Sequence, residues 1–140
     1  MPTSKEARLG IAVVERTHEF KLTVPADAAS LGIVRRAVLG LEEVCGPEVA
    51  SRLSIIFSEL VTNAICHSGA GERDPLEVVL QIGRDGVRGH VVDPGPGFDP
   101  DRIPARSPLQ ESGFGLRIVR ALAGRWGVSH DGRTRVWFEL

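Results

Sequence analysis

The sequence lacks an excess of charge of either sign. Seventeen Lys and Arg stand against eighteen Asp and Glu, a formal net charge of −1 over 140 residues. That balance excludes the indiscriminate grip on nucleic acid or an anionic membrane, which needs a large basic surplus. Cysteine is scarce as well. Cys45 and Cys66 share no C-x-x-C spacing and read as packed small side chains of a cytosolic chain. Cys66 stands beside His67, but no other Cys/His pair completes the four ligands of a structural zinc site. No run approaches the roughly 20 apolar residues of a membrane span. The short apolar stretch at residues 9–14 is cut by Glu15 and Arg16 before it reaches signal-peptide length. The expectation is a cytoplasmic protein with no membrane and no direct nucleic-acid contact.

What the sequence has in abundance is glycine: 16 Gly and 9 Pro in 140 residues, against average usage of roughly 7% and 5%. The hydrophobic share of 42% and charged share of 25% are ordinary for a folded domain, and the length suits a single core. Residues 1–17 show no clean periodicity and read as a flexible extension; residues 18–140 carry the domain. HEFKLTV over residues 18–24 alternates, with Phe20, Leu22 and Val24 on one face, which predicts a strand stopped by Pro25. Asp27 then caps a helix expected to run to about Val44, its stripe made of Leu31, Val34, Val38, Leu41 and Val44. Gly46-Pro47 starts a second helix, expected over residues 48–66, with a wide apolar face from Leu53 to Ile65.

Strands follow at residues 76–82 and 87–92 around a Gly83-Arg84-Asp85-Gly86 turn. A third helix is expected at 113–123 and a closing antiparallel pair at 126–130 and 135–140. Between strand and helix, residues 93–113 hold three Gly and five Pro with no period, and a loop that long inside a small domain is usually functional or disordered. The order β, α, α, β, β, loop, α, β, β predicts a two-layer α+β sandwich: a mixed, mostly antiparallel sheet covered on one face by helices.

Three short motifs stand out. Glu59 and Asn63, four apart on the second helix, share a face one turn apart. They read either as a solvated helix side or as a carboxylate base beside an amide oxygen able to ligate Mg²⁺, which takes few protein oxygens plus phosphate and water. Asp93-Pro94-Gly95-Pro96-Gly97-Phe98 follows the end of a strand, where glycines let backbone approach a flat ligand; the plainer reading is an Asx turn. Glu111-Ser112-Gly113-Phe114-Gly115-Leu116 opens a helix, whose free amides suit a phosphate; the plainer reading is a Ser112 cap. It is neither a Walker A loop nor a dinucleotide fingerprint.

Taken together and in this order, the segments SELVTNA, DPGPGF and SGFGLRIVRALAGRWGV resemble the Bergerat-fold (GHKL) ATP-binding superfamily of gyrase, heat-shock chaperone, histidine kinase and mismatch-repair ATPases. Within it the chain is most similar to the small anti-sigma-factor serine/threonine kinases. The resemblance implies ATP and Mg²⁺ as cofactors. It implies Glu59 as the catalytic carboxylate, Asn63 as Mg²⁺ ligand and Asp93 as acceptor for the adenine amino group. Gly95, Gly97 and Phe98 would line the base and sugar, while Gly113, Phe114, Gly115 and Leu116, with the Arg117 amide, would cradle phosphates. Residues 98–111 would form a short ATP lid, with Arg102 or Arg106 offered to the γ-phosphate or simply solvated.

The resemblance further implies a kinase that phosphorylates an anti-anti-sigma (STAS-type) partner and regulates a sigma factor by partner switching, and it suggests a homodimer. The alternative is a non-catalytic ATP-binding module acting by contact alone. Only about 17 residues precede the first expected strand, which disfavours autophosphorylation on histidine. Arg35-Arg36 on the first helix reads as a partner surface or as an ordinary exposed basic face.

Overall fold

The computed structural model describes residues 17–67, 75–93, 117–130 and 132–140. Strand β1 (His18–Val24) forms where the alternation predicts, with Phe20, Leu22 and Val24 turned to the core. Helix α1 (Ala29–Leu39) begins under the expected cap: the Asp27 carboxylate accepts the Ser30 backbone N–H at 3.2 Å. The Ser30 hydroxyl donates to the Pro25 carbonyl at 2.6 Å, which satisfies a fully buried side chain and fixes the strand-to-helix corner.

The first helix is shorter than its spacing suggests. It stops at Leu39, and a separate one-turn helix, α2 (Glu42–Cys45), follows. Gly40 is the physical reason: it is the poorest helix former short of proline, and Leu41 beyond it leaves the helical region at φ −92°, ψ 12°. Val44, assigned to the buried stripe from its spacing, is 44% exposed. Gly46 at φ +89° then turns the chain into α3 (Pro47–His67), where Pro47 sits at the first helical position that needs no N–H.

Helix α3 is long and apolar enough by composition to cross a membrane, contrary to the sequence expectation that no stretch comes near one. Here half of that window is buried, and Leu53, Ile56, Phe57, Leu60, Val61 and Ala64 form the centre of the core. Strands β2 (Leu76–Gly83) and β3 (Gly86–Asp93) make a hairpin closed by Arg84 and Asp85 between paired Gly83 and Gly86. After a helical segment at 117–122, β4 (Arg125–His130) and β5 (Thr134–Glu139) complete the sheet in the order β1-β2-β3-β5-β4. Every described pairing is antiparallel, so the mixed sheet expected from the sequence is purely antiparallel among the described strands.

One close approach holds the two layers in register. Phe57 of α3 meets Phe138 of β5 edge-on, centroids 5.2 Å apart at 78°, a geometry worth roughly 0.5–1.5 kcal/mol beyond the area buried. Gly89 of β3 leaves the space for that pair. A Cβ there would lie 2.7 Å from Phe57 Cζ and 2.8 Å from Phe138 Cε1.

Candidate functional site

Helix α3 and strand β3 each carry a polar side chain into the interior. α3 packs against β3, and their facing sides carry Asn63 at 1% exposure and Asp93 at 2%. Glu59, one turn before Asn63, is half-buried. The helix register explains the placement: the apolar residues at 56, 57, 60, 61 and 64 fix the rotation of α3, and that rotation carries Asn63 into the interior with them.

Asn63 is the anomaly of the core. Both its amide nitrogen and its oxygen are buried, and neither has a hydrogen-bond partner among the described residues. An amide removed from water without a partner costs about 1–3 kcal/mol on the scale of protein mutations. The group that offsets this cost is therefore external to the described polypeptide. A hard cation with its own water and phosphate ligands fits the oxygen. Among the described residues no three His, Cys, Asp or Glu side chains converge into a metal cage.

The base of the site has a member that periodicity did not reveal. Thr134 opens β5 directly across from Asp93, on the same face, and is 1% exposed. The sequence placed this strand's start at Arg135 and left Thr134 in the turn. Only the pairing of β5 with β3, a contact between distant parts of the chain, sets it beside Asp93. The Thr134 hydroxyl lies 3.3 Å from Nδ1 of His130, which faces it across the β4–β5 hairpin.

The remaining predicted positions divide between two groups. Gly95, Gly97, Phe98, Gly113, Phe114, Gly115 and Leu116, the lid arginines Arg102 and Arg106, and Ser112 lie outside the described residues. Arg117 is the first described residue of the helical segment 117–122. Cys45 is half-buried, as expected, with its thiol donating to the Leu41 carbonyl, and burial pushes that thiol above its ordinary pKa. Cys66, expected to be packed, is exposed instead, because it falls on the solvent side of the last turn of α3. Arg35 is exposed but not unattached: its Nε donates to the Ser58 hydroxyl at 2.8 Å, and that hydroxyl donates to the Ser54 carbonyl at 2.7 Å. The pair ties α1 to the turn of α3 that carries Glu59.

The histidine kinase-like ATPase domain family matches residues 24–140, the whole of the chain from the end of β1 onward. The chain belongs to that family. ATP is the ligand the family implies, and the buried pair Asn63 and Asp93 lies within the matched span. Solved structures agree on the fold. The RsbU and RsbW domains of a Mycobacterium tuberculosis protein match this ATPase domain with a TM-score of 0.65 and 21% identity, over 87% of this chain and 32% of that one. A chain of the SiaB–SiaC complex from Pseudomonas aeruginosa matches at 0.56 and 14%, over 96% of both. The histidine kinase domain of a blue-light activated histidine kinase from Erythrobacter litoralis matches at 0.52 and 24%, over 83% of this chain and 60% of that one. The ATPase domain thus spans about a third of the mycobacterial chain. No curated protein matches it significantly.

Proposed function

We propose that this domain binds Mg·ATP and transfers the γ-phosphoryl group to a Ser or Thr hydroxyl of an anti-anti-sigma (STAS-type) partner, regulating a sigma factor by partner switching. The observation that carries the reading is Asn63, a fully buried amide that the described polypeptide leaves unpaired. Family membership supports ATP as the ligand. The likeness to an RsbW domain and to a chain of the SiaB–SiaC complex supports the choice of a partner-switching kinase over other members of the family. A homodimer working in the cytoplasm completes the proposal.

In this reading Asp93 accepts from the adenine 6-amino group, with Thr134 beside it at the base edge. Gly95, Gly97 and Phe98 receive base and sugar, and the amides of Gly113, Phe114, Gly115 and Leu116 receive phosphates. Asn63 would hold Mg²⁺ through its amide oxygen. The ion supplies charge neutralisation across the phosphates, the main demand of phosphoryl transfer. Glu59 orients the partner's hydroxyl and takes its proton as the new O–P bond forms and the bond to the ADP oxygen breaks. A near-neutral surface suits this chemistry, since one bound nucleotide is met by backbone amides rather than by a basic face.

The test is transfer of labelled γ-phosphate to candidate partner proteins in the presence of Mg²⁺. Glu59→Ala is expected to keep ATP binding and lose transfer by about 10²-fold or more, the usual contribution of a general base. Undiminished transfer by Glu59→Ala removes that residue as the base. ATP binding by the wild type with no transfer to any cognate partner replaces the kinase with a contact-only switch.

A further inference from the structure

The hairpin that ends the chain puts a histidine against the base-recognition end of the site. Thr134 is buried beside Asp93, whereas His130, its cross-strand neighbour on β4, is exposed at the rim, and the two side chains meet at 3.3 Å through Nδ1. A threonine hydroxyl has one hydrogen and two lone pairs on a rotor with several staggered positions. A ring nitrogen fixed on one side limits which of them remain available on the other. We infer that His130 is a positioning residue for base recognition: its Nδ1 holds the Thr134 hydroxyl in the orientation that, with the Asp93 carboxylate, reads the adenine edge. This rests on the ATP reading above and deepens it.

The geometry makes the role chemically specific. The interaction uses Nδ1, the ring nitrogen nearer the backbone, which an asparagine side-chain amide can mimic. A glutamine places its amide at the position of Nε2 instead. Because His130 is exposed, its replacement removes no core contact, so an effect on ligand binding is not a folding effect.

The experiment is calorimetric titration of Mg·ATP into the wild type, His130→Ala, His130→Asn and His130→Gln, repeated for His130→Ala in a Thr134→Val background. Thermal unfolding of each variant is followed without ligand. His130→Ala and His130→Gln are expected to weaken ATP binding about three- to tenfold, the scale of one neutral hydrogen bond. His130→Asn is expected to bind within about twofold of the wild type, because it restores a polar atom at the Nδ1 position. In the Thr134→Val background His130→Ala has no further effect, since the group it positions is gone. The inference is overturned by unchanged ATP affinity in His130→Ala, or by an equal loss with and without the Thr134 hydroxyl. It is also overturned by a Gln variant that rescues where Asn does not. A wild type that fails to bind ATP, or an Asp93→Asn variant that binds it undiminished, brings down the underlying ATP reading instead.

Discussion

Asn63→Leu is the substitution for which a functional site and a structural residue give opposite answers. Asparagine and leucine branch at the same carbon and have similar volume, so the exchange neither opens a cavity nor overpacks the core. In the ligand-free protein it replaces two buried polar atoms that no described residue satisfies with two methyl groups. Removing the desolvation cost of the amide is expected to stabilise the apo protein by about 1–3 kcal/mol. For a chain of 140 residues that corresponds to a rise in Tm of about 3–10 °C. The same substitution removes the proposed cation ligand. Wild-type protein at a hundredfold excess of Mg·ATP over its Kd gains about 2.7 kcal/mol from binding, and Asn63→Leu is expected to gain little or none of it. Differential scanning fluorimetry with and without Mg·ATP reads both effects in one plate. A variant less stable than the wild type without ligand would refute the reasoning, because it would mean the amide is structural. So would a variant whose Tm still rises with Mg·ATP as the wild type's does.

Two further outcomes test the frame around the site. Gly89→Ala puts a methyl group within 2.8 Å of Phe57 and Phe138; overpacking of this kind costs typically about 1–3 kcal/mol, read as a lower urea midpoint with unchanged m-value, and a variant as stable as the wild type would show that the aromatic pair yields freely. His90 lies half-buried on the sheet face away from the helices, opposite Val79 and Trp137, and burial first, then the charge of Arg135, lowers its pKa. Its neutral form is therefore favoured by folding: the associated stability is fully present above the ordinary histidine pKa and is lost as pH falls through the lowered folded value. The slope this adds is at most about 1.4 kcal/mol per pH unit, and His90→Gln is expected to flatten it between pH 7.5 and 5; parallel curves for wild type and variant would remove His90 as the source.

Local patterns carried most of the fold. The alternation of Phe20, Leu22 and Val24, the Asp27 cap and the apolar face of residues 53–64 all predict elements that form, because each signal depends on neighbours in sequence. The misses have separate causes. Spacing alone ran the first helix through Gly40 to Val44, since a stripe at helical intervals does not register the backbone cost of one glycine. Asn63 was legible as half of a polar pair, yet nothing in the sequence says that both of its amide atoms would lie in the core with no partner among the described residues. Thr134 was invisible because its meaning comes from the β3–β5 pairing, which no local period encodes. The glycines divide in the same way. Gly95, Gly97, Gly113 and Gly115 carry motifs readable from sequence, while Gly89 matters only because two aromatic rings from distant elements converge on it.

The central claim, that this chain holds ATP by its base at Asp93, is tested most directly by calorimetric titration of ATP into the wild type and Asp93→Asn in the presence of Mg²⁺. The exchange keeps the shape of a side chain that is 2% exposed and removes its charge. Hydrogen bonds to a charged group are worth about 1.5–3 kcal/mol, so the account predicts saturable binding to the wild type and a loss of about tenfold or more in the variant. Equal affinity in the two proteins, or a wild type that binds no ATP, would contradict it.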